Sequence, residues 1–89
     1  MQFPEEVTGD VVNRLKRVEG QMRGLQRMLE AGEDCTAVVT QLTAAQAALQ
    51  RAGYRLMAAG MRYCATEPDA ARADGMTADD LERLFVKMG

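Results

Sequence analysis

The chain has 89 residues, with 11 Lys and Arg against 13 Asp and Glu, a net charge of −2, no His, no Trp and two Cys. That length makes one small domain, and the balance of 47% apolar to 27% charged residues is that of a folded rather than a disordered chain. Without His the commonest metal ligand and general base are missing, and two Cys are too few for a disulfide scaffold or a four-thiolate zinc site.

Residues 1–9, with Pro4 and Gly9, read as a flexible N-terminal arm, and residues 10–89 as a single helical domain. Asp10 is placed as the N-cap of a first helix whose apolar residues recur at Val11, Leu15, Val18, Met22, Leu25 and Leu29. Ala31-Gly32 stops it, and Glu33-Asp34 opens a second. There Cys35, Val38, Leu42, Ala45, Leu49, Ala52, Leu56, Ala59 and Tyr63 alternate spacings of three and four as far as Cys64, before Pro68. Residues 68–76 read as a polar connection. Thr77-Ala78-Asp79-Asp80 resembles a capping box ahead of a short third helix bearing Leu81, Leu84, Phe85 and Met88. No strand pattern, repeat or membrane-length apolar run occurs, and nothing N-terminal resembles a signal peptide, so the expected location is the reducing cytoplasm, with no membrane partner. A helix of thirty residues is roughly 45 Å long. It outgrows a small monomer, which predicts that helices of different chains complete a bundle.

Cys35 opens the second helix and Cys64 closes it. Twenty-nine residues separate them by roughly 43 Å, beyond any disulfide or shared metal within one chain. Around the helix axis they lie within about 20° of each other, so an antiparallel dimer sets Cys35 of one chain beside Cys64 of the other. Gly53 and Gly60, on the same face, would let the partner helix approach closely. The bland reading is two small buried hydrophobes. On the reactive reading the helix dipole favours an anion at the N-terminal position, which makes Cys35 the attacking and Cys64 the resolving thiol.

The overall acidity hides a basic segment. Residues 11–27 hold Arg14, Lys16, Arg17, Arg23 and Arg27 against Glu19, a local charge of +4, whereas residues 63–89 sum to −3. Lys16, Arg23 and Arg27 fall on one arc of the first helix, and Arg51, Arg55 and Arg62 on one arc of the second. Such arcs are commonly just solvated surface. Two of them, doubled by symmetry, suit a phosphate backbone.

The run Arg14-Leu15-Lys16-Arg17-Val18-Glu19-Gly20-Gln21-Met22-Arg23-Gly24-Leu25 closely resembles the RLKRxEGQxRG signature of the copper-sensitive operon repressor (CsoR/RcnR-type) family. Glu33-Asp34-Cys35, with Gln41-Leu42-Thr43-Ala44-Ala45-Gln46-Ala47-Ala48-Leu49, resembles its second signature. The resemblance spans residues 10–89. It implies an all-α, three-helix subunit, an antiparallel dimer forming a four-helix bundle, and a dimer-of-dimers tetramer. It also implies a repressor, not an enzyme, that leaves double-stranded operator DNA when its inter-subunit Cys site is modified or occupied. DNA-contacting positions would be Arg14, Lys16, Arg17, Arg23, Arg51 and Arg55.

One departure bears on the inducer. Copper sensors of the family pair their two thiols with a His, and that position is Gly60 here. The pattern is similar to the persulfide-sensing branch, the CsoR-like sulfurtransferase repressors (CstR). The expectation is therefore a repressor released when per- or polysulfide links Cys35 to Cys64 of the partner subunit, with no resident metal or cofactor. The alternatives are a Cu(I)-responsive repressor coordinating through thiolates alone, a persulfide sulfur carrier, and a purely structural helical oligomer.

Overall fold

The computed structural model describes residues 1–88; Gly89, the last residue of the expected domain, lies outside them. Four helices follow in chain order: α1 Glu5–Glu30, α2 Cys35–Thr66, α3 Pro68–Ala73 and α4 Ala78–Met88, with no strand among the described residues. α1 and α2 form a long antiparallel hairpin, α4 folds back along α2, and the whole measures 54 × 25 × 14 Å.

α1 begins five residues before the expected cap at Asp10. Pro4 sits at its N-cap, its carbonyl accepts from the backbone N–H of Val7 and Thr8, and Glu5 and Glu6 fill the first turn. Val7 explains the extension. It carries the apolar row back one turn and is buried with Val11 and Ala52, against Leu56 and Ala59. That burial outweighs the helix-breaking tendency of Gly9.

Gly32 (φ +69) ends α1 in a left-handed turn, where the Glu33 N–H donates to the Met28 carbonyl and the Gly32 N–H to the Leu29 carbonyl. The Asp34 carboxylate then caps α2 by accepting from the Thr36 N–H at 3.0 Å. The expected polar connection instead contains α3, with Pro68 in its first turn and Gly75 (φ +74) closing it by the same pair of carbonyl contacts, Met76 to Ala71 and Gly75 to Arg72. The capping box of α4 forms as expected. The Thr77 N–H donates to Asp80 Oδ2 at 3.0 Å and the Asp80 N–H to Thr77 Oγ1 at 3.2 Å.

The apolar seams split into two rows of seven-residue spacing. Val11 and Val18 of α1, with Ala45 and Ala52 of α2, are buried inside the hairpin. Leu15, Met22 and Leu29, with Leu42 and Leu49, are exposed on one of its flat sides. Gly53 and Gly60 admit a close neighbour within the chain itself, α4. A Cβ on Gly60 would stand 3.2 Å from Leu81 Cδ1 and Cδ2, and one on Gly53 would run into Met88 Sδ. Leu81 and Met88 are seven residues apart, as are the two glycines, so α4 seats one side chain over each gap.

Candidate functional site: a thiol edge and an arginine face

Cys35 is the first residue of α2 and is exposed. It continues the exposed row of Leu42 and Leu49 along α2. Cys64 lies two residues from the other end, half-buried, and its Sγ donates to the Met76 carbonyl at 3.3 Å, in the turn between α3 and α4. Because α2 is unbroken from Cys35 to Thr66, the two sulfurs stand roughly 43 Å apart and cannot meet in one chain. The described residues gather no group of three or more His, Cys, Asp or Glu able to hold a metal. Gly60, where the family resemblance would place an imidazole, is buried beneath Leu81.

Close to Cys64, the Tyr63 hydroxyl donates to Asp74 Oδ2 at 2.8 Å, and the Met1 ammonium meets the same oxygen at 2.9 Å. These donors, the ammonium first, hold the Asp74 carboxyl below the usual carboxylate range, and the carboxylate in turn pushes the Tyr63 hydroxyl up.

The opposite flat side of the hairpin is basic. Arg14, Arg17 and Arg51 line one cleft together with Gln21 and Ala48, and Arg55 and Arg62 line a second with Pro4, Glu6 and Val7. Of the six expected DNA-contacting residues, four therefore share this side: Arg14, Arg17, Arg51 and Arg55. Lys16 and Arg23 lie on the outer edge of α1, about 140–160° around from Val18, and Arg23 approaches Glu19 at 3.9 Å. Two further residues of the side escaped sequence reasoning. Asp10, read as a cap, lies within α1 and bonds Arg14 and Arg55. Gln21 buries its Oε1 without a hydrogen-bond partner. The i,i+4 spacing of Asp10 and Arg14 was a usable sign of the first; nothing in the sequence pointed to the second.

The chain is thus an all-helical hairpin with an apolar side, a basic side and a thiol near each end of its longer helix. The family model described as "Metal-sensitive transcriptional repressor" matches residues 8–87, and the chain belongs to that family. It is 37% identical over 77 residues to the copper-sensing transcriptional repressor CsoR of Bacillus subtilis, covering 86% of this chain and 76% of that protein. It is 39% identical over 62 residues to the copper-sensing transcriptional repressor RicR of Mycobacterium tuberculosis, covering 70% of this chain and 65% of that one. The crystal structure of the copper-sensing repressor CsoR with Cu(I) from Geobacillus thermodenitrificans superposes with a TM-score of 0.66 at 30% identity, over 99% of this chain and 84% of that one. These relatives are repressors, not enzymes. They are named for copper, so the expectation of a sulfur-sensing branch draws no support from them. No helix of the described residues is long and apolar enough to cross a membrane.

Proposed function

We propose that this repressor holds operator DNA with its arginine side and lets go when a thiol-directed inducer occupies Cys35 of one chain and Cys64 of the partner subunit. The observation that carries the reading is the sidedness of the hairpin, with exposed Leu15, Met22, Leu29, Leu42 and Leu49 on one side and Arg14, Arg17, Arg51 and Arg55 on the other. The apolar side receives a second copy, giving an antiparallel dimer and from it a tetramer. Each cysteine of one chain then meets its counterpart across the interface, and Lys16 and Arg23 extend the DNA-contacting surface beyond the edge of α1.

The names of the relatives favour Cu(I) as the inducer. The donor set fits a soft ion held by two thiolates and does not fit a site that needs an imidazole, because Gly60 offers no ligand and Leu81 closes the space above it. A thiol gives up its proton on binding the metal. Cys64 then has nothing to donate to the Met76 carbonyl, and the turn leading into α4 loses one of its ties. A tenfold fall in operator affinity requires only about 1.4 kcal/mol of difference between the two states.

The missing imidazole favours a second reading, release by reactive sulfur. There the Cys35 thiolate cleaves an S–S bond of a polysulfide, keeping one sulfur as a persulfide and releasing the shortened polysulfide, and Cys64 of the partner subunit attacks the inner sulfur of that persulfide, leaving an inter-chain disulfide and expelling hydrosulfide. Both readings are tested by operator binding of the reduced protein, repeated after one equivalent of Cu(I) and after polysulfide, with intact masses of the products. Release by Cu(I) without a covalent cross-link supports the metal reading. Release by polysulfide alone, with a cross-linked dimer, supports the second. Reduced protein without operator affinity contradicts both.

A further inference from the structure

We infer that Asp10 is a positioning residue of the DNA face, tying Arg14 of α1 to Arg55 of α2 so that both guanidinium groups are aimed before DNA arrives. The inference rests on the reading of the arginine side as the operator surface. A single carboxylate oxygen, Oδ2, accepts from Arg14 Nε at 3.1 Å and from Arg55 Nε at 3.2 Å. Among the described residues this is the one ion pair that joins α1 to α2. Each arginine engages through Nε, so the two terminal nitrogens of each fork remain for phosphate oxygens.

The placement is rigid at its base. Asp10 projects from the turn between Val7 and Val11, which are buried, and Arg55 from the turn between Ala52 and Ala59, which pack against them. Arg14 also lines the cleft with Arg17 and Arg51, for which no ion pair occurs among the described residues. Asp10 therefore links the two basic clefts through Arg14 and Arg55. Without it, two like charges would repel and each long side chain would have to be ordered by the DNA itself. Ordering two such side chains in advance is worth a fall in Kd of about tenfold.

Charge alone predicts the opposite. An acid beside a phosphate backbone repels it, so removing Asp10 by electrostatics would tighten DNA binding. The sign of the effect therefore decides the matter. Full-length reduced protein is tested against a duplex it has selected from a random pool and against a mixed-sequence duplex of equal length. Asp10→Asn removes the charge at constant shape, and Asp10→Glu keeps the charge but lengthens the arm. Both variants are expected to lose about tenfold in affinity for the selected duplex and a similar factor for the mixed duplex, because both present the same phosphates. An Asp10→Asn protein that binds the selected duplex equally or more tightly, or variants that lower only the melting temperature, overturn the inference. If Asp10→Asn does not fold, Asp10→Glu decides alone. Arg17→Ala serves as the control for the underlying reading. Unchanged affinity there removes the DNA face altogether, whereas weakened affinity there with indifferent Asp10 variants removes only the role of Asp10.

Discussion

Gly60, the position at which the family resemblance implies an imidazole in copper sensors, has a packing task in this chain. A Cβ at this position would crowd two carbons of Leu81, itself buried. Gly60→Ala is therefore expected to lower stability even though alanine favours a helix by about 1 kcal/mol. The coupling with Leu81→Ala in a double-mutant cycle measures the clash, and additivity would show that α4 can shift freely. Cost is also expected at the cap of α4, where Thr77→Ala should remove about 1 kcal/mol in chemical denaturation. Its partner Asp80 has a pH signature. Hydrogen bonds from Thr77 hold the Asp80 carboxyl below its ordinary value, so the stabilisation is complete above about pH 4 and is lost as pH falls through the lowered value. Melting curves of the unaltered protein and Asp80→Ala should converge in acid and separate toward neutrality. A constant gap would contradict the assignment.

At the scale of elements, periodicity made α2 legible almost to the residue, because a heptad seam of Ala and Leu running to Pro68 has no competing reading. α1 was legible except for its start, since Gly9 and Asp10 look like a break and only the burial of Val7 shows otherwise. α3 was missed, although Pro68 in the first turn and Gly75 past the end are its own start and stop signals. The thiol positions were readable because angle and rise along a helix follow from counting residues. The tie between Cys64 and Met76 was not, because it joins the end of α2 to a turn whose path no periodicity encodes. That tie makes α4 the element expected to respond to the inducer. Blocking Cys64 with an alkylating reagent, or loading Cu(I), should speed amide hydrogen exchange over residues 74–81, and Cys64→Ser, which keeps a donor, should stay slow. Equal exchange in all forms would exclude α4 from the signal path.

As a whole molecule, the chain exposes 6510 Å², against about 5,200 Å² for a compact monomer of its 9.8 kDa mass. The excess exceeds the roughly 800 Å² that each partner buries in a standard interface. It is the surface of a two-helix layer only 14 Å deep, with a leucine row on one flat side. Leu42→Glu should convert the assembly to monomers in sedimentation and abolish operator binding with it, while a variant that still assembles would place the interface elsewhere. The central claim, that two chains build each sensor site, is tested most directly by mixing. A chain carrying Cys35→Ala and a chain carrying Cys64→Ala each lack every complete thiol pair as homodimers, but a mixed antiparallel dimer regains one of its two. The account predicts that neither variant alone releases operator DNA on inducer addition, and that subunit exchange between them restores release at about half the inducer stoichiometry. A mixture as silent as its components, or a single variant that responds unaided, would contradict it.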